Sequence, residues 1–164
     1  MPKYFANDLS RSVEDYLKVI YQLCEAGGSA STTSIADALE LAPPSVSGMV
    51  KRLAEAGLLA HLPYKGVTLT VDGRQAALRM LRRHRVIETY LVSHLGYTWD
   101  NVHDEAEQLE HAVSEDLVER MSRALGDPHF DPHGDPIPAA DGRMIDLSTT
   151  PLAELEVGTA VTIA

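Results

Sequence analysis

The hydrophobic period of this chain breaks at Gly57, and that break limits the fold more than any other feature of the sequence. Before it, "APPSVSGMVKRLAEAG" repeats apolar side chains at helical spacing through Val46, Val50 and Leu53. Its two prolines suit the first turn of a helix, where a missing N–H costs nothing. After it, "LLAHL" and "VTLTV" alternate like two short strands, with "PYKG" as the turn between them. Two more helical stretches come earlier. Residues 10–26, "SRSVEDYLKVIYQLCEA", carry one apolar stripe through Val13, Leu17, Ile20, Tyr21 and Cys24, with Ser10 or Ser12 as cap and Gly27-Gly28 as stop. "STTSIADALEL" is a short helix opened by a Ser/Thr cluster, and only "ELAPP" links it to the next. Three tightly connected helices followed by a hairpin make a winged helix-turn-helix. Its third helix suits a DNA major groove, and its hairpin suits the phosphate backbone.

The rest of the chain is mostly helical in pattern. A long helix is expected from Asp72, "DGRQAALRMLRRHRVIETYLVSHLG", ending at Gly96, and a further one over residues 100–125. "GDPHFDPHGDPIPAADG" is too rich in Pro, Gly and Asp to be anything but a loop, and "LAELEVGTAVTIA" alternates like strands. Hydrophobic content of 45% supplies a core, and 5% aromatic residues point to aliphatic packing. The single cysteine, Cys24, excludes an internal disulfide and a cysteine-based zinc site within one chain, and fits a reducing cytoplasm. No stretch approaches the roughly 18 apolar residues of a membrane span, and the N-terminus lacks the apolar region of a signal peptide. A cytoplasmic protein without a membrane partner is expected.

Charge is uneven along the chain. Against a net −10, residues 41–85 hold eight bases and two acids, a local +6, and residues 100–120 hold eight acids and one base, a local −7. Two different partners would explain this, as would chance variation on a solvated surface. The densest stretch is "HDEAEQLEH", His103 to His111, with two histidines and four acids. On a helix, Glu107, Glu110 and His111 fall at about 40°, −20° and 80° from His103, a single face about 100° wide. Such a face is either solvated or a metal site, since without a cation its like charges repel. His84 and Glu88 form a second pair at i and i+4, and donors on neighbouring helices can share a cation. Nitrogen and oxygen donors alone favour manganese or ferrous iron and admit zinc. The chain has no His-Glu-x-x-His, no Glu-x-x-His, no Gly-rich phosphate loop and no Gly-x-Ser-x-Gly. No enzyme is expected.

In this order and at these spacings, "VEDYLKVIYQL", "APPSVSGMVKRLAEAGLL", "YKGVTLTVDGR", "RRHRVIETYL" and "VHDEAEQLEHAVSEDL" resemble the metal-dependent repressors of the diphtheria toxin repressor and manganese transport regulator family. The resemblance covers nearly the whole chain. It implies a mostly α fold, with a winged helix-turn-helix DNA-binding domain at 1–72 and a helical metal-binding and dimerisation domain at 73–141. Residues 142–164 resemble the truncated start of an SH3-like domain. It implies a homodimer on a palindromic double-stranded DNA operator, with a divalent metal as corepressor. The implied primary metal ligands are Asp15, Glu107, Glu110 and His111, and the ancillary ligands are His84, Glu88 and His103. Asp15 comes from the family pattern alone, because it lies opposite the apolar stripe of its helix.

The resemblance also implies DNA contacts from Thr32, Thr33, Pro44, Ser45, Ser47, Lys51, Arg52 and Lys65. Gly48 stands where iron-type members carry a base-facing Gln, so DNA shape should matter more than direct readout. Iron-type members carry Met where this chain has Asp15 and Cys where it has Glu107. Replacing sulfur by oxygen tilts the expected cofactor toward Mn(II), with Fe(II) and other divalent transition metals as substitutes. Manganese-type members carry Glu where this chain has Lys18. The expected function is repression of metal-homeostasis genes when metal is plentiful. An iron-responsive repressor and a winged-helix regulator sensing an organic ligand are the alternatives.

Overall fold

The computed structural model describes residues 9–144. The strands expected in "LAELEVGTAVTIA", and the SH3-like start beyond residue 144, lie outside them. The described elements are α1 (Arg11–Gly27), α2 (Thr32–Leu39), α3 (Pro43–Glu55), β1 (Leu59–Leu62), β2 (Gly66–Leu69), α4 (Val71–Leu95), α5 (Val102–Glu110) and α6 (Glu115–Ala124).

Local chemistry accounts for the ends of the first three helices. Gly28 takes a left-handed conformation and returns its N–H to Cys24 O, closing α1. Ser31 and Ser34 form a reciprocal capping box at the start of α2. Pro43 and Pro44 occupy the first turn of α3, which buries Val46, Val50 and Leu53 as the sequence predicts. Strands β1 and β2 pair antiparallel from Leu59↔Leu69 to Leu62↔Gly66. A third partner joins them, since Ala30 and Val67 exchange two backbone hydrogen bonds of 2.9 Å. This bridge ties the hairpin to the α1–α2 connection. It also explains Gly66, whose φ is +102° and where a Cβ would sit 2.2 Å from Ala30 O.

Thr70 turns the chain from hairpin to helix. Its hydroxyl donates to Gly57 O at 2.7 Å and accepts from Gly73 N–H at 3.1 Å. Helix α4 then runs 25 residues as the spine of the molecule. Its first turns contribute Ala76, Ala77, Leu78 and Leu81 to a core shared with α1, α2, α3 and the hairpin. Its later turns pack Ile87 and Leu91 on Val102 and Ala106 of α5, and Val86 on Val118 and Ile137. Cys24 packs against the first core.

The single helix expected over 100–125 is two. Helix α5 ends at Glu110, and Ser114 has extended backbone (φ −80°, ψ 155°) and accepts from Leu117 N–H to start α6. The break lets α6 fold back on α4, as the packing of Val118 on Val86 requires. The arginines that make residues 41–85 basic are largely committed within the chain. Arg82 pairs with Glu119, Arg83 with Glu115, Arg85 with Asp131 and Arg74 with Glu25. Two of these pairs, Arg82–Glu119 and Arg83–Glu115, join the basic stretch to the acidic one. Among the described residues no helix is long and apolar enough to cross a membrane.

Candidate metal centre

Where α1, α4 and α5 meet, charged groups replace apolar ones. Glu14, Lys18, Arg83, His84, Glu88 and Glu110 are all buried there, and Glu110 is fully so. Burying charge is costly unless each group is paired, and the pairing is nearly complete. Glu110 Oε1 accepts from Lys18 Nζ at 2.7 Å, and its Oε2 lies 2.5 Å from His84 Nδ1. His84 Nε2 meets Glu88 Oε1 at 3.0 Å. Arg83 donates to Glu110 O at 2.9 Å and pairs with Glu115, with Glu14 Oε1 3.6 Å away. Arg83 Nε is the one buried side-chain polar atom left without a partner among the described residues.

These contacts set the protonation states. Burial alone would push His84 down, but hydrogen bonds to Glu110 and Glu88 outweigh it and raise its pKa to about 9. His84 is thus an imidazolium at neutral pH. Burial likewise disfavours charge on Glu88 and Glu110, yet the hydrogen bond from His84 holds each below the usual glutamate value, with Lys18 adding to the effect at Glu110.

Two groups of donors come together. Ligand atoms of Asp15, Glu110 and His111 lie within 4.8 Å of one another, and so do those of His84, Glu88 and His103. In the first, His111 Nε2 is 2.9 Å from Asp15 Oδ1 and 3.4 Å from Glu110 Oε1. Glu14 Oε2 lies 2.8 Å from His111 Nδ1. In the neutral tautomer that donates Nδ1–H to Glu14, Nε2 faces both carboxylate oxygens with a lone pair. Three acceptors then converge on one point, which a cation relieves, and the nitrogen–oxygen set fits a hard or borderline divalent metal. In the second group, His103 Nδ1 lies 3.1 Å from Glu88 Oε1 and 3.2 Å from His84 Nε2.

Glu107 does not join Asp15, Glu110 and His111. Its half-exposed carboxylate lies between the groups, 3.6 Å from Lys18 Nζ and 3.5 Å from His103 Nε2. Asp15 reaches the cluster because α1 turns a charged stripe, not its apolar one, toward α5. Sequence reasoning missed Glu14, which fixes the His111 ring. It also missed His133, whose Nε2 lies 3.7 Å from Glu88 Oε1. The signal for His133 was the repeated Asp-Pro-His spacing of its loop. Asp131 shapes that loop by accepting from the N–H groups of His133 and Asp135.

The residues expected to meet DNA lie on a separate surface. Thr33, Pro44, Ser45, Ser47, Lys51, Arg52 and Lys65 are exposed and Thr32 is half-buried, spread over the start of α2, α3 and the hairpin. Lys51 has only a loose 3.9 Å contact with Glu55. Tyr64, not anticipated as a contact, is fully exposed at the hairpin tip with φ +62°.

Two protein-family profiles match the chain. Residues 8–67 match "Iron dependent repressor, N-terminal DNA binding domain", and residues 70–139 match "Iron dependent repressor, metal binding and dimerisation domain". The chain is 39% identical over 145 residues to the iron-dependent repressor IdeR of Mycobacterium leprae, covering 88% of this chain and 61% of that protein. It is 36% identical over 134 residues to the diphtheria toxin repressor of Corynebacterium diphtheriae, covering 82% of this chain and 59% of that protein. Among solved structures, a manganese-dependent transcriptional repressor in complex with manganese superposes with a TM-score of 0.73 at 49% identity, over 85% of this chain and 63% of that one. The manganese regulator SloR superposes with a TM-score of 0.71 at 42% identity, over 81% of this chain and 61% of that one. The chain thus spans about three fifths of the length of these relatives.

Proposed function

The chain belongs to the iron-dependent repressor family, and on that footing we propose that it is a divalent-metal-dependent transcriptional repressor acting in the cytoplasm as a homodimer on palindromic DNA. Residues 1–72 bind DNA, and residues 73–141 hold metal and pair with a second copy. One observation carries this reading. Asp15 of α1 and His111 at the end of α5 come within 2.9 Å across the junction of the two cores.

Asp15, Glu110 and His111 form the primary site, with Glu107 at its edge, and His84, Glu88 and His103 form the ancillary one. A bound dication supplies positive charge shared by both halves of the chain. The chain does the rest. Glu14 orients the His111 ring, Arg83 holds Glu14 and the end of α5, and Glu110 links the two sites through His84. Lys51 and Arg52 on α3 and Lys65 on the hairpin hold phosphates, and Thr32, Thr33, Pro44, Ser45 and Ser47 bring the starts of α2 and α3 against the groove. Exposed Leu95 and Trp99 at the α4–α5 turn, and Leu117 on α6, offer apolar surface for a second copy.

The metal is manganese in this reading, because the donors are oxygen and nitrogen throughout. Iron is the second reading, favoured by the iron-dependent relatives at 34–39% identity. Titrating DNA binding against Mn(II), and against Fe(II) under anaerobic conditions, separates them. Mn(II) should activate at least as well as Fe(II), and Asp15→Met with Glu107→Cys should shift the preference toward Fe(II). DNA binding indifferent to any metal would favour a regulator of another kind.

A further inference from the structure

One cation already stands among the acids at the junction of the two cores. Lys18 of α1 is buried, with Nζ 2.7 Å from Glu110 Oε1 and 3.6 Å from Glu107 Oε1. Glu110 has two carboxylate oxygens, and His84 holds the other. The oxygen under Lys18 is the one that faces His111 Nε2 at 3.4 Å, and so the one turned toward the Asp15–His111 group. Two cations cannot share a buried carboxylate oxygen without strong repulsion, because little solvent is there to screen them.

We propose that Lys18 is a tethered competitor of the metal: its ammonium holds Glu110 Oε1 in the metal-free protein and must leave before that oxygen can serve a divalent cation. This rests on the reading of Asp15, Glu110 and His111 as metal donors. Being part of the chain, the ammonium competes at a fixed, high effective concentration. It therefore sets the free-metal level at which the protein responds. The flexible four-carbon stem of a lysine permits the exit, and Glu107, half-exposed and 3.6 Å away, is a landing place at the edge of the site. The same contact joins α1 to α5 across 92 positions of sequence, so the metal-free halves are held together and not driven apart by their acids.

The test is a titration of Mn(II) into wild type, Lys18→Gln and Lys18→Arg, followed by calorimetry. Competition predicts that Lys18→Gln binds on the order of tenfold more tightly, since no buried ion pair must first be broken, and that Lys18→Arg, which keeps the charge, gains nothing. Lys18→Gln binding as wild type or more weakly overturns the proposal and leaves the metal site standing. So does an equal gain in both variants. No Mn(II) binding by any of the three overturns the site reading and the proposal with it. Should Lys18→Gln not fold, wild type decides alone. Amine acetylation read by peptide mass should label Lys18 faster with Mn(II) than without, relative to exposed Lys51 and Lys65, and an unchanged relative rate overturns the proposal.

Discussion

At the residue scale, Glu110 decides the behaviour of the centre. It is fully buried between Lys18 and His84. Glu110→Ala would strand two buried cations and should destabilise the metal-free protein by about 3–5 kcal/mol, the usual result of removing one partner from a buried pair. Urea denaturation measures this. Glu110→Gln keeps shape and one acceptor, so it should fold better yet lose metal-stimulated DNA binding, and a metal response with unchanged midpoint would remove Glu110 from the site. His84 makes the centre sensitive to pH. Its folded pKa of about 9 lies above its ordinary 6.5, so its contribution to metal-free stability is complete below 6.5 and lost as pH rises through 9. Glu110 shifts the other way, and its contribution is present above the ordinary glutamate value and lost on acidification. A metal at His84, Glu88 and His103 must displace the His84 proton. Its affinity should rise about tenfold per pH unit between 6.5 and 9 and level off beyond, and a pH-independent affinity over that range would exclude His84 as a ligand.

At the scale of elements, the winged helix was legible because apolar period, prolines and glycines all pointed the same way. Val46, Val50 and Leu53 are buried as their spacing requires. The charged junction was not legible. Counting apolar residues on α1 finds the stripe through Leu17, Ile20 and Tyr21, but Glu14 and Lys18 form a second buried pair at i and i+4. The partners that justify burying Glu14 and Lys18 lie 97 and 92 positions away, and no local pattern announces them. The break at 111–114 was signalled by Ser114 ahead of Glu115 and Asp116, an N-terminal cap that the histidine–acid pattern overshadowed. Gly66 carries the hairpin's attachment. Gly66→Ala should cost roughly 1–3 kcal/mol for the left-handed backbone alone and more for the clash with Ala30 O, read as a lower urea midpoint with unchanged slope. The hairpin and α3 also carry Lys65 and Lys51, which are proposed to hold phosphates. Lys51→Ala or Lys65→Ala should each reduce the slope of log K against log salt by about one unit if each neutralises one phosphate, and two unchanged slopes would take both residues off the DNA.

At the scale of the molecule, metal and DNA are read as two ligands of one coupled system. The residues proposed to face DNA lie on α2, α3 and the hairpin, and the proposed metal donors lie at the α1–α4–α5 junction. Among the described residues α1 and the spine α4 connect these surfaces, and α1 carries Asp15 while packing on α2 and the hairpin, so how α1 is held is the expected route of coupling. Helix α1 is held by Lys18 on Glu110 and by Glu14 on His111. Metal therefore exchanges one set of bridges for another, and its effect on DNA is the difference between the two. That difference is a coupling free energy, typically about 1–3 kcal/mol or roughly 5–150-fold, and it must be equal in both directions. The direct measurement is calorimetric titration of Mn(II) into the protein, alone and bound to a palindromic duplex selected from random sequence at saturating Mn(II). The account predicts Mn(II) affinity at least about fivefold higher on DNA, matched by the same factor in DNA affinity with and without metal. Equal Mn(II) affinity in the two titrations would contradict it, leaving a metal that is structural and a repressor that does not sense it.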